Sequence, residues 1–487
     1  MKKLMHSKNW QVTLHGAVLA AVFIVSYGAA TLPLFGQNSL YLNTQPANAI
    51  GVNRATLNGM VLPGSKPAAA WFEWGTSANY GQMTAATNLP SGGGLTVIRQ
   101  TLSGLSPDYV YHCRLVASNL SGVAYGADQQ FTLGATVVVW GQTGFGQDWV
   151  PGDLNNAVAI GGGGYHCVAL RNDGTIAAWG GNAHGQTDVP ADLTNAVAIA
   201  VGQVHNLALL PDGTVRVWGA GTTLGPDWPE GGQSIVPADL SNVVQIAAGT
   251  THSLALKADG TVAAWGSARI YSTFWTDLGQ AVVPAGLSNV VAISGGDFHN
   301  MALRADGTVV IWGDATYGQA AIPPGLTNVV SIAAGWYHNL ALRADHTLAA
   351  WGYDGYGAVS GMPAGLGSLA GMAGGGFYSL AFQRDGTALG WGASSAGQAD
   401  IPAGLLTKAV AMAAGYDFSL ALQSSAPIEV SLTLQPLGDQ LQLIWLGGTL
   451  QSAGDVNGPY TDMTGAVSPL VFVPTETQQF YRVQVQP

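Results

Sequence analysis

The sequence predicts an all-β protein built around a seven-bladed β-propeller, and three observations predict it. First, a Trp-Gly pair recurs at Trp140, Trp179, Trp218, Trp265, Trp312, Trp351 and Trp391, followed each time by a proline: Pro151, Pro190, Pro237, Pro284, Pro323, Pro363 and Pro402. Each of the first six prolines stands 28 residues before the next Trp. A fixed period of about 40 residues marks a repeat array or propeller. Second, each unit reads as short strands separated by Gly turns. In one copy, Ala196–Ala200, Asn206–Leu210 and Thr214–Trp218 alternate around the Gly202–His205 turn and the Asp212-Gly213 hairpin, and a Ser-Ile-Val-Pro segment supplies a fourth strand. Third, the two ends of the array complement each other. It opens with a lone third strand, Thr136–Trp140, and finishes with Ala409–Ala413 and Ser419–Gln423 lacking one. Pairing them in one blade closes the ring and removes two open sheet edges.

The elements follow in chain order. Residues 1–36 read as a signal peptide or N-terminal anchor. Lys2, Lys3 and Lys8 precede an uncharged stretch from Trp10 to Phe35, and Gly28-Ala29-Ala30 offers a cleavage site. Gln11, His15 and Pro33 interrupt the stretch and favour the cleaved form; an uncleaved stretch is long enough to span a bilayer. The chain is therefore expected outside the cytoplasm: extracellular, periplasmic or at the cell surface. Residues 42–133 form a β-sandwich with alternating runs at 55–61, 70–74 and 109–117. Residues 134–424 form the propeller. Residues 427–487 form a small β module, with strands at 429–434 and 440–445 around Gly438-Asp439.

Composition narrows the function. Charged residues are only 9% and the net charge is −11, with 16 Lys plus Arg and no basic tract. Nothing here neutralises a phosphate backbone, so nucleic acid is not an expected partner. Cys113 and Cys167 fall in different domains and form no disulfide framework. Outside the array's turn chemistry there is no nucleophile–base pair, no phosphate-cradling loop before a helix and no paired carboxylates. The chain reads as a non-enzyme without cofactor or metal.

The run Leu105-Ser-Pro107, Tyr111, Ala117-Ser-Asn119 and Gly122 resembles the latter half of a fibronectin type III domain, with Tyr111 at its tyrosine corner. That resemblance implies a spacer or adhesive module. The last 60 residues resemble small C-terminal β modules of secreted bacterial proteins. The unit at 252–266, His-Ser-Leu-Ala-Leu-Lys-Ala-Asp-Gly-Thr-Val-Ala-Ala-Trp-Gly, resembles the regulator of chromosome condensation repeat, as do its copies at 166–180, 205–219, 299–313 and 338–352. The Gly-x-x-His turn becomes Gly375–Tyr378 and Gly415–Phe418 in the last two units, and one Asp-Gly-Thr hairpin becomes Asp345-His346-Thr347, where positive φ on His costs about 1 kcal/mol and a different turn is expected. The resemblance implies the propeller and leaves function open. The founder is a guanine nucleotide exchange factor for a small nuclear GTPase and binds chromatin; a secreted bacterial relative inhibits β-lactamase through one propeller face.

His166, His205, His252, His299 and His338 share one slot on five blades. A metal-binding ring is one reading. The other is a buried imidazole tying its own blade's turn to backbone carbonyls, and repetition favours it, because a catalytic or metal residue is needed once and a folding residue in every blade. The seven Trp residues likewise suit blade-to-blade core packing.

The loops after each Trp-Gly vary and are where function is expected. The Trp-to-proline gap is 11 or 12 residues except after Trp218 and Trp265, where it is 19. Those insertions hold Asp227, Trp228 and Glu230, and Tyr271, Phe274, Trp275 and Asp277. With Trp336 and Tyr337 on the same face they form the expected protein-binding site, aromatic anchors rimmed by charge. The expected function is an exported protein-binding propeller, adhesin-like or inhibitor-like and monomeric. The alternatives are a propeller acting on or binding a surface glycan and, by resemblance alone, a nucleotide exchange factor.

Overall fold

The computed structural model describes residues 19–21 and 40–484, apart from 224–230, 267–277, 365, 368, 406–407, 425–431, 438–439, 446–448, 456–457, 464–469 and 474–478. Among these the protein is all β, with one three-residue 3-10 turn, Ala403–Leu405.

The repeats fold as three-stranded antiparallel sheets. Sheet I is Ala157–Gly162, His166–Arg171 and Ile176–Gly180. Sheet II is Ala198–Val201, His205–Leu209 and Val215–Gly219. Sheet III is Val243–Ala248, His252–Lys257 and Val262–Gly266. Sheet IV is Val290–Gly295, His299–Arg304 and Val309–Gly313. Sheet V is Val329–Ala334, His338–Arg343 and Leu348–Gly352. Sheet VI is Leu369–Gly374, Tyr378–Gln383 and Ala388–Gly392. Sheet VII joins the two ends of the array: Thr136–Gly141 lies antiparallel to Phe418–Gln423, which pairs with Ala409–Ala414 on its other side. The first strand of each sheet lies against the first strand of the next, and that of sheet VII against that of sheet I.

The expected fourth strand is absent from the described residues. The segment before each proline folds as a turn, with bonds such as Trp149 N–H to Gly146 O and Asp188 N–H to Gly185 O. Side chains of the next sheet take its carbonyls, so it has no need of a ladder. The Trp-Gly pair has a backbone cause: Gly266 sits at φ +93°, where an L side chain is strained, and its six counterparts are also left-handed. The Gly-x-x-His turn has a steric one: a Cβ on Gly249 would overlap the His252 ring packed on it. His346 adopts φ +66° and keeps the form of the Asp-Gly hairpins, with its N–H bonded to Arg343 O and Thr347 capped by Asp345, so the expected departure there does not occur.

Residues 41–132 form two sheets, Tyr41–Asn48 with Arg54–Leu62 and Thr96–Ser103, and a second centred on Ala68–Gly75 and Val110–Asn119. Leu57, Ile98, Phe72, Leu115 and Phe131 fill the core between them. The Tyr111 hydroxyl accepts the Ser106 N–H at 2.8 Å and donates to Ser106 O.

This sandwich is docked on the propeller and is no free spacer. It covers the hairpin end of the axis, where Gln45, Asn48, Gln130 and Phe131 face Ile160, Ile199, Ile246, Met372 and Met412 across a cavity of about 380 Å³. Asn43 and Gln45 donate their amides to Val330 O and Val291 O. Both acceptors lie at β-bulges, where the register shifts and the carbonyl leaves the ladder. The buried Asp128 carboxylate bonds His112 Nδ1 at 2.9 Å and pairs with Arg384 of sheet VI at 3.2 Å.

C-terminal to the propeller, Leu432–Leu437, Gln440–Trp445 and Leu470–Phe472 form one small sheet, and Thr449–Ala453, Thr461–Asp462 and Phe480–Gln484 belong to another. Leu19–Ala21, within the segment read as an export signal, pairs with Phe480–Gln484. No helix among the described residues is long and apolar enough to cross a membrane.

Candidate functional site

The repeat histidines are fully buried and link each sheet to the next. His166 Nε2–H donates to Asn206 Oδ1, His252 to Asn300 and His299 to Asn339, at 2.7 to 2.8 Å. His205 and His338 reach Ser253 and Ser379 in the same way. The expectation that these imidazoles tie their turns to neighbouring backbone carbonyls is corrected in the acceptor: the Nε2 partner is a side chain one sheet on, because the ring packs against its own turn glycine and its Nε2 reaches across the joint. Burial holds these imidazoles neutral, pushing His166, His252 and His338 down to about 4 and His205 to about 3. Among the described residues no three His, Cys, Asp or Glu converge as a metal site.

A buried glutamine completes six of the seven joints and was not singled out from the sequence. Gln233 accepts the Gly231 N–H on its side chain, while its carbonyl accepts both Trp265 Nε1–H and Ser253 Oγ–H. Gln186, Gln280, Gln319 and Gln398 repeat the arrangement. The seven Trp residues are 5 to 8% exposed, core residues as expected. The legible signal was Gly-Gln in the loops, at 146–147, 185–186, 232–233, 279–280, 318–319 and 397–398, with Gly357-Ala358 the exception.

This framework leaves the loop face to function. Its axial mouth is a small cleft of about 80 Å³ among Gly163, Gly202, Gly249, Gly296, Gly335 and Gly415. The turn backbones bond from sheet to sheet around it: Thr250 N–H to Asp297 O, Asp297 N–H to Trp336 O, Trp336 N–H to Gly375 O and Tyr416 N–H to Gly163 O. On that ring Trp336 stacks on Tyr416, with centroids 4.1 Å apart and planes 17° apart. Gly376, between them in ring order, carries no side chain to intervene.

The stack is the middle of a continuous arc of rings. Phe145 touches Tyr165, and Tyr165 touches Tyr416. Beyond Trp336 come Phe377 and Tyr337, stacked at 5.7 Å, then Tyr317, Tyr353 and Tyr356. The arc runs over sheets IV to VII and I. Among the described residues, every exposed large hydrophobic side chain of the propeller lies in a post-Trp loop: Phe145 at 55%, Trp149 at 79%, Tyr317 at 49% and Tyr356 at 58%, with Ile235, Leu278 and Val282.

Two acids belong to this face that the sequence reading left out. Asp297 is 2% exposed and bonded to the Thr250 hydroxyl, and its Oδ2 has no hydrogen-bond partner. Burial pushes its carboxyl up to about 6 against the lowering effect of the Thr250 and Tyr337 hydroxyls. Asp417 is also shifted upward by burial. Of the expected site residues, the structure brings Trp336 and Tyr337 together. Asp227, Trp228, Glu230, Tyr271, Phe274, Trp275 and Asp277 lie outside the described residues. Among the described residues, the sheets that carry them, II and III, bear no ring of the aromatic arc. The signal for the arc was the variable pair inside each Gly-x-x-His turn, aromatic at Tyr165, Phe298, Trp336, Tyr337, Phe377 and Tyr416 and acidic at Asp297 and Asp417.

The regulator of chromosome condensation (RCC1) repeat model matches residues 157–186, 243–268, 290–319 and 329–358. No curated protein matches the sequence. Among solved structures, Prp20p from Saccharomyces cerevisiae, described with its binding to Gsp1p and histones, is similar over 60% of this chain and 92% of its own, at 19% identity and a TM-score of 0.50. Yeast RCC1 (Prp20) bound to Kap60 is similar over 61% and 90%, at 20% identity and a TM-score of 0.48. Human WBSCR16 is similar over 60% and 99%, at 18% identity and a TM-score of 0.45. The repeat match and the likeness to Prp20p support an RCC1-type β-propeller; at such identity the likeness concerns the fold alone.

Proposed function

We propose that this RCC1-type propeller is an exported, non-enzymatic and monomeric protein that binds a protein partner through its loop face. In this reading the ring has seven blades, fastened by Thr136–Gly141, and stands between a fibronectin type III-like domain and a small C-terminal module. The observation that carries the proposal is the position of the aromatic arc. It lies open around the axial mouth, while the sandwich occupies the opposite end of the axis. Aromatic anchors at the centre of a polar rim are the usual composition of a protein-binding hot spot. Prp20p is described with protein partners, Gsp1p and histones, which fits a propeller serving as a binding surface. Exchange-factor activity rests on fold resemblance alone and is not favoured.

The test is capture from native surroundings by the full chain, by a Trp336→Ala/Tyr416→Ala variant and by a variant lacking both insertions. The thermal transition should stay nearly unchanged in both variants and capture should be lost. Retained capture in the first variant removes the arc from the site; retained capture in the second removes the insertions. Exposed rings such as Trp149 and Tyr356 also suit stacking on sugars. Binding in a glycan panel that is lost in Trp149→Ala would favour the surface-glycan alternative.

A further inference from the structure

We infer that the partner segment seated on the loop face is basic, presenting Lys or Arg side chains to the aromatic arc and the carboxylates around it. The inference rests on the loop-face reading above and adds the chemistry of the partner.

The first observation is charge segregation. Among the described residues of the propeller, Arg171, Lys257, Arg304 and Arg343 end the second strands at the hairpin face, and Arg384 follows the second strand of sheet VI there. Arg216 opens a third strand near the same face, paired with Asp192, and Lys408 precedes Ala409–Ala414 there. No described Lys or Arg stands on the loop face. The described carboxylates there are Asp148, Asp188, Asp314, Asp354, Asp400 and Asp417, with Asp297 among the rings. Hairpin-face acids, by contrast, have cations close by, as in the Arg171–Asp153 and Arg384–Asp128 pairs.

The second observation is independent of charge count. Among the described residues the arc offers ring faces and edges without an intramolecular cation: the cation–π contacts there, Arg114 over Tyr80 and Tyr125 and Arg482 over Tyr460, lie outside the propeller. A guanidinium or ammonium within about 6 Å of such a ring is attracted by its quadrupole, more strongly when water is excluded. A one-signed surface also draws an oppositely charged partner at long range and repels like-charged ones. Asp297 supplies a buried carboxyl with one oxygen still unpaired. Among the described loop-face residues an acidic segment would meet carboxylates and no cation, and a purely apolar one would strand these carboxylates.

The test uses the full chain with nona-arginine and nona-glutamate peptides, followed by tryptophan fluorescence and calorimetry. Nona-arginine should bind saturably, and raising NaCl from about 50 to 500 mM should weaken it at least tenfold. Trp336→Ala/Tyr416→Ala and, separately, Asp354→Asn/Asp417→Asn should each weaken it about tenfold. Asp212→Asn/Asp259→Asn on the hairpin face should leave it unchanged. Equal binding of nona-glutamate, or nona-arginine binding that ignores both loop-face variants, would overturn the inference. A photo-crosslinker at Tyr356 separates this failure from that of the protein-binding reading. A captured partner whose crosslinked segment is neutral or acidic, with capture still dependent on Trp336, would sink the basic-segment inference and leave protein binding standing.

Discussion

Phe418 and Cys167 occupy the two slots that hold a histidine and its acceptor at the other joints of the ring. Five joints carry a His bonded to Asn or Ser, and the sixth carries Tyr378, which donates to Phe418 O and accepts from Ser419. At the joint between sheets VII and I, donor and acceptor are lost together, and both residues lie in one apolar cluster, 1% and 0% exposed. Phe418→His alone would bury an imidazole N–H against sulfur, a weak acceptor. Cys167→Asn alone would leave an amide oxygen against a phenyl ring. Each should destabilise by about 1–3 kcal/mol, the cost of a buried unpaired polar group. The double variant should regain at least about 1 kcal/mol of the summed loss, measured as coupling in a denaturant double-mutant cycle. Strict additivity would show that the two slots do not act as a joint.

The buried histidines predict acid sensitivity. Their folded pKa values lie below the ordinary 6.5, at about 4 for His166, His252 and His338 and about 3 for His205, with His299 also lowered. His346 is likewise near 4, through burial and the nearby Arg384. Between pH 6.5 and 4 the unfolded chain therefore binds protons that the native ring does not, so stability falls as pH falls through that window. Asp297 acts in the opposite sense, since its folded value near 6 adds stability as pH drops toward 4. Asp417, also raised by burial, acts in the same sense, and two carboxyls against six imidazoles leave the net sign unchanged. Denaturant midpoints should be flat near pH 7 and decline steadily from about pH 6.5 to 4; a midpoint that rises on acidification would refute the assignment.

The period and the pairing of the array's two ends were legible because the same interactions are reused in every unit, so each copy repeats the pattern. The termini of the array were legible for the same reason: a missing strand at Ala409–Gln423 and a surplus one at Thr136–Trp140 are visible only against a regular repeat. The fourth strand was misread because an apolar segment before proline looks like a strand, and only the structure shows Trp265 and Ser253 taking the Gln233 carbonyl. The histidine acceptor was hidden because it lies on the next sheet and changes identity between Asn, Ser and Cys. Docking of the sandwich was invisible since Gln45 and Val291 are 246 positions apart and meet at a bulge. Trp336 and Tyr337 were legible as exposed-face aromatics, whereas their contacts with Tyr416 and Phe377 arise from three different sheets.

Gln319 links the framework to the candidate site. Its side chain accepts the Tyr317 N–H at 2.8 Å and its amide donates to Asp314, while its carbonyl holds Trp351 and Asn339. Gln319→Ala keeps the carbonyl but frees Tyr317, a ring of the arc. We expect a modest loss of about 1 kcal/mol in stability and a larger effect on the tyrosines, read as a changed near-ultraviolet dichroism. Where the repeat has Ala358, Asp354 fixes the loop through the N–H groups of Val359 and Ser360. Asp354→Ala should therefore disturb Tyr353 and Tyr356 in the same way, while Asp212→Ala, in a hairpin turn on the opposite face, should not.

The Asp128–Arg384 pair predicts that sandwich and propeller unfold together. Asp128 is buried with His112 and Tyr80 around it, and His112 and Arg384 hold its carboxyl below the usual range despite burial. Arg384→Ala would leave that carboxylate with fewer partners beneath the interface, and removal of one member of a buried pair costs about 3–5 kcal/mol. Gln130 also donates to Arg384 O at 2.8 Å, and that backbone acceptor survives the substitution. The interface should therefore weaken without the amide bridges disappearing. Denaturation followed separately by sandwich and propeller probes should coincide in the natural protein. In Arg384→Ala the sandwich should melt first, because the propeller keeps its closure through Thr136–Gly141 and Phe418–Gln423. Coincident transitions in the variant would mean that the apolar contacts of Met60, Leu62 and Leu95 with sheets III and IV suffice to hold the two together.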